Sequence, residues 1–155
     1  RLVALVDDIG LSTIADLWSQ RPARSLPGAL WRLYALREWV HRVPQQASRE
    51  YAAGIRFTDV AHAVAGIAEP PTPEELHRVI DDVLAGLFQG DLAIALERAA
   101  AFCAVVAAGR AEVAHDLDGP APEDASALTR TASAMLAMSE DLRASASLWR
   151  AGRLD

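Results

Sequence analysis

The sequence predicts an all-α fold, a single-domain helical bundle of about six to seven helices, and three observations carry that prediction. Apolar residues recur at helical rather than alternating spacing in every apolar segment. Alanine, the best helix former, supplies much of a composition that is 52% hydrophobic and only 6% aromatic. Capping residues stand where each periodic stretch begins. A chain of 155 residues is long enough to bury one core without disulfides or metals.

The elements follow in order. Residues 2 to 20 hold Leu2, Val3, Leu5, Val6 and Ile9, then Ile14, Leu17 and Trp18, with Gly10 between the groups. Two short helices and one broken helix fit equally, Ser12 or Thr13 capping the second piece and Arg21-Pro22 ending it. Ser25 to Val43 is the densest stretch of large apolar side chains. It predicts a central buried helix with Ser25 as N-cap, Pro27 in the first turn and Pro44 at the end. Ala29, Leu33, Leu36, Trp39, Val40 and Val43 share one face. Leu30, Trp31 and Tyr34 sit on the opposite side among Arg37, Glu38, His41 and Arg42, so that second face also needs cover.

Gln45 to Ala53 predicts a short helix closed by Gly54 in the left-handed conformation. Thr58 or Asp59 caps the next, in which Val60, Val64 and Ile67 form one stripe. Glu69-Pro70-Pro71-Thr72-Pro73 is a break. Thr72 then starts a helix with Pro73 at its first position and a capping-box Glu, followed by Leu76, Val79, Ile80, Val83, Leu84 and Leu87. Asp91 caps an alanine-lined helix running to Leu117 unless Gly109 interrupts it; its small side chains predict close backbone approach. After the break at Asp118 to Pro122, an acidic first turn opens a final helix reaching about Ala151. There Leu128, Met135, Leu142 and Trp149 recur with a heptad-like seam, joined by Ala132, Ser139 and Ala146.

All fifteen basic residues are Arg, and neither Lys nor Asn occurs, which reads as the codon bias of a GC-rich genome. The single Cys103 cannot form an internal disulfide, and the expected compartment is the cytoplasm. Arg1 rather than Met opens the chain, leaving room for a preceding segment. The longest uncharged apolar run, Ala99 to Gly109, falls short of the roughly 20 residues a bilayer span needs, so no membrane association is expected. Residues 1 to 56 carry eight Arg against five acids, and the remainder seven against sixteen. That asymmetry predicts attraction between the two parts inside one fold.

Two Glu-x-x-His tetrapeptides carry the sharpest chemistry: Glu74 with His77, and Glu112 with His115. At this spacing carboxylate and imidazole project from one helix face and can hold iron, manganese or zinc. With a Glu from each of two other helices, such paired motifs resemble the ferritin-like di-iron proteins, and the resemblance supplies Glu38, Glu50 and Glu140 as further ligands. It departs from the family pattern in two ways. Glu74 and Glu75 stand in a first helical turn, where capping explains them, and Glu97 lies roughly 22 Å along the axis from the second motif. His115-Asp116-Leu117-Asp118 fits a favourable helix C-terminus as well as a mononuclear site with Glu112.

His41 and His62 read as partly exposed helix residues and Cys103 as a small buried hydrophobe. No nucleophile elbow, P-loop, dinucleotide fingerprint or Cys-x-x-Cys pair occurs, which removes the usual footholds of hydrolases, kinases and Rossmann enzymes. A helix-turn-helix over residues 59 to 87 would present Glu74 and Glu75 to phosphates. Arg21, Arg24, Arg37, Arg42, Arg49 and Arg56 alternate with Trp18, Trp31, Trp39 and Tyr51, yet those aromatics fit a core better, so nucleic acid is disfavoured.

The expectation is therefore a non-enzymatic protein acting by association, without a cofactor. Self-association into a homo-oligomer would use Leu30, Trp31 and Tyr34 or the seam Leu128, Met135, Leu142 and Trp149, and an unidentified protein partner fits the same faces. The alternative is a small-molecule- or metal-binding bundle using Glu74, His77, Glu112 and His115.

Overall fold

A computed structural model describes residues 17–87 and 89–155. Sequence readings at residues 2–16, including caps at Ser12 or Thr13, lie outside the described residues. The described elements are helices α1 (Leu26–Arg42), α2 (Pro44–Gly54), a 3-10 turn (Ile55–Phe57), α3 (Asp59–Ala65), α4 (Pro73–Gly86), α5 (Leu92–Leu117) and α6 (Pro122–Arg150). No strand occurs among the described residues, and the fold is an all-α helical bundle.

Caps explain most boundaries. Ser25 Oγ accepts from the Gly28 N–H at 3.2 Å and donates to the Pro22 carbonyl. Thr72 and Asp91 do the same service for the N–H groups of Glu75 and Ile94. The capping box at Thr72 is half formed. Glu75 turns away from the Thr72 N–H to accept from the Ala68 N–H at 3.0 Å and from Arg78, tying the preceding linker to α4.

One core draws on all six helices, and its axis is α5 rather than the Trp-rich α1. α5 packs against every other described helix and buries residues around most of its circumference, from Leu92 through Val106 to Ala114. By length and composition α5 is apolar enough to cross a membrane, and 67% of its most apolar 18-residue window is buried within the bundle. Gly109 does not interrupt it. Instead Gly109 and Gly54 meet where α2 crosses α5. A Cβ at Gly109 would sit 1.6 Å from the Glu50 carbonyl oxygen, and one at Gly54 would sit 1.9 Å from that of Val105. This contact corrects the reading of Gly54 as a left-handed cap. Its φ is −88°, the chain runs on into the 3-10 turn, and hydrogen at Cα is needed for close approach. The left-handed cap falls at Gly66, φ 75°, after α3.

The stripe on α3 is also corrected. Val60 is 79% exposed and Val64 45%, while Ile67 lies past the helix end and is buried. α3 is short enough that α5 takes only Ala65 and the half-buried Ala61 into the core. The predicted attraction between the two parts of the chain takes form as Arg24 on Asp141 at 3.0 Å, Arg37 on Asp81 at 3.3 Å and Arg56 on Glu112 at 2.5 Å. These pairs are substantially exposed, so each adds at most about 1 kcal/mol, and their main effect is on register.

Candidate functional site

The two Glu-x-x-His motifs do not converge. α4 turns His77 toward α1, where its ring stacks on His41 with centroids 4.3 Å apart, while Glu74 stays exposed in the first turn. α5 turns Glu112 toward the 3-10 turn, where Arg56 occupies it, and His115 is exposed. Each motif thus faces a different neighbour. The further carboxylates are separated too: Glu38 meets Arg37 at 3.4 Å, Glu50 binds Arg110, and Glu140 is exposed on α6. Among the described residues no group of three or more His, Cys, Asp or Glu is arranged to hold a metal ion.

Glu50 and Arg110 form a buried charged centre that sequence reasoning missed. Arg110 Nε and Nη2 donate to Glu50 Oε2 at 3.1 and 2.9 Å, and Nη1 donates to the Thr131 carbonyl at 3.2 Å. Gln46 donates to the other carboxylate oxygen, and the Trp39 ring lies 5.1 Å from the guanidinium carbon. Side chains from α1, α2 and α5 and a carbonyl of α6 therefore meet at one pair. In the sequence Arg110 merely follows the apolar run Ala99 to Gly109, and no local pattern pairs it with a Glu 60 positions earlier. Both charges are spent on each other, so the centre holds helices together and offers nothing to a ligand.

A second polar chain links Tyr51, His62 and Glu69. The Tyr51 hydroxyl lies 2.7 Å from His62 Nδ1, and His62 Nε2 lies 3.0 Å from Glu69 Oε1. Burial first, then the Glu69 charge, pushes the phenol's pKa up, so Tyr51 stays protonated and donates to the imidazole. Tyr51 has no exposed surface and stacks on Phe102, which bars it from acting as a nucleophile. Glu69 also edges a wide open groove of about 820 Å³ with Arg56, Pro70, Glu112 and Asp116. Cys103 is fully enclosed, and burial drives its thiol up to about 12 against the weaker pull of Arg110. It behaves as a packing residue.

The association faces named from the sequence are redistributed by packing. Met135 and Leu142 are 9% and 0% exposed, with Ala132, Ser139 and Ala146 beside them, because the seam of α6 lies against α5. Ser139 Oγ donates to the Ala100 carbonyl across that contact at 2.7 Å. The seam is intramolecular, which corrects its assignment as a partner surface; Leu128 is half-buried and Trp149 is 41% exposed at its far end. Leu30, Trp31 and Tyr34 are each half-buried, Leu30 against the core.

The apolar surface that stays open lies elsewhere. Between α5 and α6 runs a groove of about 350 Å³ floored by Ala104, Ala107, Ala108, Ala111 and Ala132 and edged by Leu136, which is 47% exposed. It shares Ala111 and Thr129 with a more polar groove of about 540 Å³ that ends at His115, Asp118 and Arg130. Thr58 lines the apolar end, and Phe57, Val60 and Val64 on either side of it in sequence are all exposed. Sequence alone held one signal for this surface. The alanines of α5 outnumber what one packed face requires. No family model, curated protein or solved structure matches the chain.

Proposed function

We propose that this chain acts through protein association, pairing with a second copy of itself over the α5–α6 groove and the adjoining face of α3. The observation that carries the reading is an apolar groove edged by exposed Leu136 and lined at one end by Thr58, in a segment whose Phe57, Val60 and Val64 are exposed. Scattered single apolar residues are ordinary on a protein surface; a group beside an apolar groove marks an interaction site. Alanine side chains along the floor let a partner helix come close without displacing polar groups. A two-fold axis is the commonest way for one chain to cover such a surface with itself.

Sedimentation velocity or light scattering over a range of concentrations tests this. The wild type should be a dimer, and Val60→Glu and Leu136→Glu should each give monomers with unchanged far-ultraviolet circular dichroism, since both side chains are exposed in the single chain. A wild type that stays monomeric at high concentration overturns the reading. It would turn attention to the wide groove edged by Glu69, Arg56 and Asp116 as a small-molecule site.

A further inference from the structure

We propose that the stacked pair His41 and His77 is an acid-sensitive clasp holding α1 against α4. The rings are nearly parallel, 14° between planes and 4.3 Å between centroids, and they bridge the two helices beside the buried residues Val40 and Leu76. His41 Nε2 lies 3.0 Å from Asp81 Oδ1, and the same oxygen lies 3.3 Å from Arg37 Nε. One carboxylate therefore serves two groups. On the other ring, His77 Nε2 is buried with no hydrogen-bond partner.

The proton inventory follows from these contacts. A neutral His41 can donate through Nε2 to Asp81, whereas His77 Nε2 meets no donor and no acceptor. A charge on His41 faces the Asp81 carboxylate. A proton on His77 Nε2 has no such partner. It would create a buried N–H without an acceptor and stack one cation on another, with Asp81 already shared. Separation of the rings lets that N–H reach water. The open form thus holds more protons than the closed one, and a falling pH favours opening.

Other charges around the pair are engaged elsewhere or exposed, including those of α6, which packs against α1 with Asp141 on Arg24 and Glu140 and Arg143 exposed. On α1, Glu38 is bound to Arg37, and Arg42 is exposed. On α4, Arg78 is held by Glu75 and Asp82, and Glu74 is exposed. On α2 and α5, which also pack against α4, Glu50 is bound to Arg110, Glu97 to Arg150 and Arg98 to the Ala65 carbonyl, while Arg49 is exposed. Among the described residues none of these is bonded to either imidazole.

The test is a titration of the wild type from about pH 8 to about pH 5, above the range where carboxylates protonate. It is followed by near-ultraviolet circular dichroism and by binding of a dye specific for exposed apolar surface. The wild type should lose tertiary signal and gain dye fluorescence across this range with helicity retained. His77→Phe keeps a stacked ring that cannot titrate and should remove the transition. Should His77→Phe fail to fold, His77→Gln takes its place with the same expected result. Asp81→Asn removes the carboxylate that faces His41 in the closed form and should move the transition to higher pH. A wild type unchanged over this range, or a His77 variant that follows the wild-type curve, overturns the proposal.

Discussion

Replacing Arg110 by Met should be among the most damaging single changes in this chain, and the structure shows why. Met matches the length of the aliphatic stem but removes both N–H bonds to Glu50, the bond to the Thr131 carbonyl and the cation over Trp39. Glu50 is 4% exposed and would keep only the Gln46 amide at 3.1 Å. Breaking a buried pair from one side typically costs about 3 to 5 kcal/mol, because an unanswered charge stays behind. Domains of this kind have total stabilities of roughly 5 to 15 kcal/mol, so the loss is about a fifth or more. At about 2 to 4 °C per kcal/mol for this size, Tm should fall by roughly 10 °C.

Removing both charges should do far less harm. Glu50→Leu with Arg110→Met leaves no buried charge, frees the half-exposed Gln46 to meet water, and should cost no more than about 1 kcal/mol. A double-mutant cycle by urea denaturation, with unchanged m-values as the check on two-state behaviour, would measure the coupling. An Arg110→Met cost below about 1 kcal/mol, or single costs that simply add in the double variant, would refute the claim that this pair joins the helices as a closed unit.

Gly109→Ala should be destabilising beyond the roughly 1 to 3 kcal/mol usual for overpacking, because the new methyl meets the Glu50 backbone carbonyl rather than a movable side chain. Gly86→Ala, with nothing within 4 Å of the added carbon, should instead gain about 0.5 to 1 kcal/mol; thermal denaturation of the pair decides both. Hydrogen bonds from Arg78 and from the Ala68 N–H hold the Glu75 carboxyl at about 2, below its ordinary 4.5. A carboxylate favoured in the folded state contributes stability above its unfolded value and loses it as pH falls through the folded one. Stability should therefore drop between about pH 4.5 and pH 2 more steeply in the wild type than in Glu75→Gln, as read by denaturation at stepped pH.

Local signals were legible in the sequence because their causes are local. Ser25, Thr72 and Asp91 cap helices through bonds to N–H groups three residues away, and prolines stop helices through their own rings, so the starts of α1, α4 and α5 could be read directly. Burial of Leu33, Leu36, Leu76 and Ile80 followed from helical periodicity, which depends on each helix alone. Which neighbour each face meets is a different kind of question. The seam of α6 has the spacing of an association surface, and only the arrival of α5 makes it intramolecular. Val60 and Val64 have the spacing of a buried stripe, and only the shortness of α3 against α5 leaves them in solvent. The two Glu-x-x-His motifs each form on one helix face, as the sequence requires, but α4 presents His77 to His41 and α5 presents Glu112 to Arg56. Tertiary structure alone brought Glu50 to Arg110 and the Gly109 backbone to the Glu50 carbonyl. Periodicity and capping are properties of a few consecutive residues, whereas these contacts join positions far apart in the chain, and only the packing of whole helices determines them.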